Sequence, residues 1–263
     1  MWEWLPRRFV WHRVAKLKLR YALSLVLVVF VGSVLVNTPA SFLVKPLAQQ
    51  HVYLEGVHGS IWRGKAQSLS ARANGEIISW GQVEWQLSPM SLLSLSPTVA
   101  FSTELGSQWM QAKVTLDSLE SIQLENVRGR IPAAIVRLFA PLAVDGAFEF
   151  SFPDLQWSQS RGVLALTGSL RWIDAVWLTQ TDRVRLGSYE LALTSEGPDI
   201  IGSVTTLKGA VQAAGELRAK DQNYTVDLLI EPSGPAEQRL RQNLSLLAQP
   251  EGEGLRIKLS GQY

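Results

Sequence analysis

From position 82 onward, apolar side chains recur at every second position in run after run. Val83, Trp85 and Leu87 form one set, and Phe148, Phe150 and Phe152 another. Tyr189, Leu191 and Leu193 follow, then Tyr224, Val226, Leu228 and Ile230, then Leu255, Ile257 and Leu259. A strand turns successive side chains to opposite faces, whereas a helix repeats about every 3.6 residues. The chain is therefore committed to sheet with one apolar face, the signature of antiparallel pairing. Gly146, Gly168, Gly187, Gly202, Gly215 and Gly254 punctuate the runs. Their irregular spacing excludes a strict solenoid and predicts a long meander curved by glycines and bulges. A turn at Asp221-Gln222-Asn223 should set Leu217 and Ala219 opposite the Tyr224–Ile230 run.

Helix is expected in only a few places. Ser88-Pro89, ahead of Leu92, Leu93 and Leu95, reads as a short turn capped by Ser88 with proline at the first position. Pro132 to Phe139 is a second candidate, stopped before Pro141. Gly234 to Ala248 is the longest, opened by Pro235, striped by Leu240, Leu244 and Leu247, and ended by Pro250. The segment from 138 to 146 is the expected waist between two sub-halves of one sheet.

The stretch Tyr21 to Val36 obeys a different rule. It carries no charge, and Ser24 and Ser33 are its most polar side chains. Just upstream stand Arg7, Arg8, Arg13, Lys16, Lys18 and Arg20, the pattern of a helix entering a membrane from the cytoplasmic side. Leu17 and Leu19 extend the apolar run on one side, and Ala40 to Val44 on the other, past Pro39. Thr38-Pro39-Ala40 has the small residues of a signal cleavage site, but the proline is unfavourable there. The run also exceeds the usual signal core of about 7–15 residues, so an uncleaved anchor is the expectation. The resulting division is a basic tail over 1–20, an anchor over 21–44 and a β-rich domain over 45–263.

Charge supports that division. Residues 1–20 hold six cations and Glu3, a net of +5. Removing these from totals of 25 and 23 leaves 19 cations and 22 anions, a net of −3, for the remainder. Outside the tail there is no electrostatic footprint for nucleic acid. With no cysteine, disulfides, thiol nucleophiles and thiolate metal sites are excluded. His51 and His58, with Glu55 between them, match no standard metal spacing and lack a third nitrogen or sulfur ligand. No cofactor is expected.

The densest motif is Gly59-Ser60-Ile61-Trp62-Arg63-Gly64. A nucleophile elbow would need glycine where His58 and Trp62 stand, and a phosphate loop would need G-K-[ST]. The structural reading is a strand–turn–strand with Trp62 pinned in the core. This motif follows the anchor and is followed by Trp85-Gln86-Leu87-Ser88-Pro89, Asn126-Val127-Arg128-Gly129-Arg130-Ile131 and Gly146-Ala147-Phe148-Glu149-Phe150. Leu166 to Trp172 (LTGSLRW) and Leu186 to Leu191 (LGSYEL) complete the series. In that order the motifs resemble the type II (general) secretion system protein N family, over nearly the whole chain. The first also resembles the start of the AsmA-like proteins, a broader group.

The resemblance implies an accessory, non-enzymatic component of the bacterial inner membrane. Such a protein is single-pass with its bulk in the periplasm, and partners other secretion-system subunits in exporting folded proteins across the outer membrane. It carries over no catalytic residues. The AsmA-like kinship implies an alternative, a lipid-binding or lipid-transfer protein whose apolar β-groove would include Phe148, Phe150, Phe152, Trp172, Tyr189 and Leu191. The plainer reading of that stripe is a core covered by a second sheet or by the 234–248 helix. An enzyme would need paired carboxylates such as Asp145 with Glu149 or Glu251 with Glu253. These stand beside turn glycines, where a solvated surface or edge protection is the usual role.

Overall fold

The computed structural model describes residues 26, 30, 32, 33 and 37–262, apart from 119, 139–142, 161, 179–181, 198, 221–222, 234–247 and 253. The basic tail, most of the expected anchor and most of the expected 234–248 helix lie outside those residues. Among the described residues no helix is long and apolar enough to cross a membrane.

The alternating runs become strands that pair in sequence order. Short β1 (Val52–Glu55) and β2 (His58–Gly59) precede β3 (Arg63–Ala73), β4 (Glu76–Leu87), β5 (Thr98–Leu105), β6 (Gln108–Leu116) and β7 (Ser121–Pro132). Then come β8 (Val144–Ser158), β9 (Gly162–Leu178), β10 (Arg183–Glu196) and β11 (Asp199–Lys208). The last are β12 (Val211–Lys220), β13 (Asn223–Pro232), β14 (Ala248–Glu251) and β15 (Gly254–Gln262). All belong to one antiparallel sheet whose order follows the chain from β3 to β13, then β15 and β14, while β1 and β2 both pair β3. The sheet is open, with β1 and β14 at its ends. It runs unbroken from β7 to β8, past the 138–146 stretch.

The meander carries irregularities at its glycines. Register shifts flank Gly187 and separate Asp145 from Ala147 around Gly146. Leu217 pairs Val226 and Ala219 pairs Tyr224.

Register converts separate alternations into one surface. A single cross-strand row joins Ala66, Val83, Thr103, Met110, Gly129 and Phe150. It continues through Leu170, Leu191, Val204, Gly215, Leu228, Ile257 and Ala248. Thr103 is the one polar side chain in it. The opposite face carries the charge: Arg130, Glu149, Arg171 and Glu190 stand opposite one another in alternating sign. Arg130–Glu149 and Arg171–Glu190 each close to 2.7 Å.

Burial is shallow. The buried hydrophobics include Ala66, Val83, Ala112, Val127 and Ala175, and among the described residues no aromatic side chain is fully buried. Two compact clusters lie toward the carboxyl-terminal part of the sheet. Val184 and Val211 pack with Trp177, Leu186 and Ile230, and Ala248, Leu255 and Ile257 with Leu228 and Ile230.

The helical expectations need correction. A 3-10 turn at Ala40–Leu43 and helix α1 (Val44–Gln49) lead into β1. Helix α2 (Pro89–Leu93) forms with Pro89 in its first turn, but the Ser88 side chain makes no capping bond. Instead, the Ser91 hydroxyl donates to the Ser88 carbonyl at 2.6 Å. The turn expected from Pro132 starts at Ala133 and is 3-10, because Pro132 is still paired with Ala147 in the sheet. Ala248 and Pro250, read as a helix end and its stop, are both in edge strand β14. An edge is where a residue without an N–H can stand in a sheet.

Candidate functional site

The six predicted groove residues are brought together on the apolar face. Phe148 pairs Trp172, which pairs Tyr189, so three rings from β8, β9 and β10 stand abreast. Their centroids are 5.7 Å apart for Phe148–Trp172 and 6.3 Å for Trp172–Tyr189, both tilted. The polar ends of these rings are tied down. Trp172 Nε1 donates to the Asp145 carbonyl at 3.1 Å, and the Tyr189 hydroxyl to the Val211 carbonyl at 2.9 Å. Burial pushes the Tyr189 phenol up to about 12, because desolvation disfavours the phenolate. In the next row Phe150 and Leu191 flank Leu170, and Phe152 stacks on Phe150 at 6.0 Å. All six side chains are half-buried.

Glycines make this packing possible by leaving room for rings. A Cβ on Gly129 would stand 2.5 Å from Phe150 Cζ. On Gly64 it would run into the Trp85 ring. Each glycine is the direct cross-strand partner of its aromatic residue. Several of the glycine-aromatic motifs are thus seats for rings on one face.

The Gly59–Gly64 motif ties neighbouring segments together. Gly59 adopts φ +88°, which a side chain would strain. The Ser60 N–H donates to the Arg63 carbonyl at 3.0 Å, closing the turn. The Ser60 hydroxyl accepts from the Arg63 N–H at 3.2 Å. The Ile61 N–H donates to Thr38 and the Trp62 carbonyl accepts from Leu87, at 3.0 and 2.8 Å. Trp62 is half-buried, not pinned in a core. Trp85 is the ring locked beside the motif, its Nε1 donating to the Ile61 carbonyl at 3.2 Å. Gly59, Gly64, Trp85 and Phe101 line a cleft of about 680 Å³ with Lys65 and Glu84.

The structure extends the apolar face beyond the six. Leu193, Leu217, Val226 and Leu259 form a further continuous row with Gly168 and Gly202. The alternation of these residues is plain in the sequence, but their adjacency to Phe152 depends on strand order and register. Three of the carboxylates considered for catalysis are engaged in ion pairs, Asp145 with Arg183, Glu149 with Arg130 and Glu251 with Arg256, and Glu253 lies outside the described residues. Arg256 also holds Asp227 through paired bonds of 2.7 and 2.9 Å, and that charge-assisted hydrogen bonding lowers the Asp227 pKa. Among the described residues no group of histidines and carboxylates is placed to hold a metal.

The chain resembles proteins of known assignment along nearly its full length. It is 28% identical over 246 residues to "Type II secretion system protein N" of Aeromonas hydrophila, covering 88% of this chain and 93% of that one. Against "Type II secretion system protein N" of Vibrio cholerae serotype O1 it is 26% identical over 239 residues, 86% and 91% of the two chains. No solved structure matches it. The family model described as type II secretion system (T2SS), protein N matches residues 50–258, the span of the sheet from β1 into β15. The chain therefore belongs to the type II secretion system protein N family.

Proposed function

We propose that the chain is a non-catalytic accessory subunit of the type II secretion system, held in the inner membrane by residues 21–44. Residues 1–20 then lie in the cytoplasm, and residues 45–263 form a periplasmic scaffold that other secretion subunits contact. The observation that carries this reading is the coincidence of the family match, 50–258, with the sheet as a whole. The matched span takes in strands from β1 into β15. The uneven charge, +5 over the tail and −3 over the rest, supports the orientation. A reporter active only in the periplasm, fused after Tyr263, should be active. Activity of a cytoplasm-only reporter there would overturn the topology. Other secretion subunits should co-purify from detergent extracts, and purification without them would remove the scaffold role.

A second reading gives the apolar face to lipid acyl chains. It is supported by the half-burial of Phe148, Phe150, Trp172 and Leu191, which one-layered packing leaves partly in reach of solvent. A photo-crosslinking residue placed at Leu170 in the full chain, irradiated in cells, separates the two readings. A lipid-sized adduct favours the groove. A protein adduct favours the scaffold.

A further inference from the structure

Beyond the sheet face, the most exposed apolar side chains among the described residues gather at one hairpin tip. Between β4 and β5, Met90, Leu93 and Leu95 are 72%, 78% and 86% exposed. No charged residue occurs between Glu84 and Glu104, a gap containing the whole tip. The neighbouring β6–β7 tip, by contrast, carries Asp117 and Glu120.

The tip is built, not frayed. The Ser91 hydroxyl donates to the Ser88 carbonyl and accepts from the Thr98 N–H at 2.8 Å. The Ser96 N–H donates to the Ser91 carbonyl at 3.0 Å. Several of its backbone polar groups are thereby satisfied within the loop, as insertion into an apolar medium requires. Leu95 holds φ +58°, a left-handed conformation that is unfavourable for a leucine and that glycine would adopt freely. Its exposed side chain has little packing to offset that strain, an outlier that points to function.

The position of the tip identifies what it meets. Thr38, two residues beyond the uncharged run Tyr21–Val36, is bonded through its carbonyl to Ile61. The next residue, Trp62, bonds Leu87, which enters the tip. The tip thus emerges from the end of the sheet at which Thr38 is fastened. Phe42, 68% exposed, lies in the 3-10 turn on the same path.

We propose that Met90, Leu93 and Leu95 dip into the bilayer that holds residues 21–44, giving the periplasmic sheet a second membrane contact beside its anchor. This rests on the anchor reading above. A bilayer is favoured over a protein partner because a projecting, uncharged tip of a few side chains falls far short of the about 800 Å² per partner of a stable protein interface. Exposed apolar residues with no neighbouring charge are what an acyl-chain boundary accepts.

The chain has no cysteine, so single cysteines label cleanly. The full chain is reconstituted in vesicles of phosphatidylethanolamine and phosphatidylglycerol with an environment-sensitive dye at L93C, L95C, F30C in the anchor, or S107C. The last lies at the far end of β5, about 25 Å away for a strand of this length. Dyes at 93 and 95 should shift to shorter wavelength and be quenched by nitroxide-bearing lipids, while the dye at 107 is not. If the dye at 30 is quenched but those at 93 and 95 behave like 107, the second contact is refuted and the anchor stands. Quenching at 93 and 95 without quenching at 30 removes the anchor, and overturns the tip as a second contact beside it. Quenching at none of these positions removes both. Adding Leu93→Asp to the L95C protein should abolish quenching at 95. Persistence would show that apolar insertion is not the cause, and overturn the proposal.

Discussion

Thr103 is the anomaly of the apolar row. Its side chain is buried, and its Oγ1 has no hydrogen-bond partner among the described residues. A buried hydroxyl left unsatisfied costs about 1–3 kcal/mol. Thr103→Val keeps the shape and removes that cost, so the midpoint of urea unfolding should rise by the equivalent of about 1 kcal/mol. Tyr189 gives a second prediction at this scale. Its phenol ordinarily titrates near 10 and is pushed up to about 12 here. The unfolded chain therefore releases the proton first. The stability that the neutral phenol contributes is intact below about pH 10 and is lost as pH rises toward 12. The tyrosinate absorbance difference between the wild type and Tyr189→Phe should therefore appear only near pH 12.

At the scale of elements, strand pairs are locked by ring-on-glycine contacts. Gly129→Ala would place a methyl 2.5 Å from Phe150 and also against the Trp109 carbonyl oxygen, at 2.7 Å. The backbone atom cannot step aside, so overpacking should cost about 1–3 kcal/mol, read by chemical denaturation. Gly106→Ala is the contrast. Open space surrounds a Cβ there but φ is +60°, so its cost should be confined to the conformational penalty of about 1 kcal/mol. The alternation of Phe148, Phe150 and Phe152 made a strand with one apolar face legible, and the structure puts all three rings on that face. What alternation could not convey is that Phe150 meets Gly129 while Phe148 meets Trp172, because a pairing register is invisible within one strand. For the same reason Trp62 read as the core tryptophan, while Trp85, which the register sets over Gly64, is the ring that holds the turn.

For the whole molecule, the open sheet leaves two edges to manage. Strand β14 is four residues long and carries Pro250 and Glu251. A short edge with proline and charge resists pairing with another chain. Replacing both, as Pro250→Val with Glu251→Val, should leave the sheet folded but drive concentration-dependent association, seen as larger particles by light scattering. An unchanged size distribution would show that β14 is guarded by something else.

The chain by itself determined the kind of surface this protein builds. Period two fixes strand and face at once, and the absence of cysteine removes whole classes of chemistry, both without reference to the fold. The cation-flanked apolar run marks where a membrane segment is expected. Only the tertiary structure decided that the strands pair in order into one open sheet. Pairing energy lies between separate backbone segments and not within a strand, and a one-residue slip would have turned every apolar side chain to the charged face. The same pairing decided that the uncharged Met90–Leu95 tip lies on the end where Thr38 is fastened. That adjacency arises from two backbone hydrogen bonds, and a backbone hydrogen bond leaves no trace in side-chain pattern.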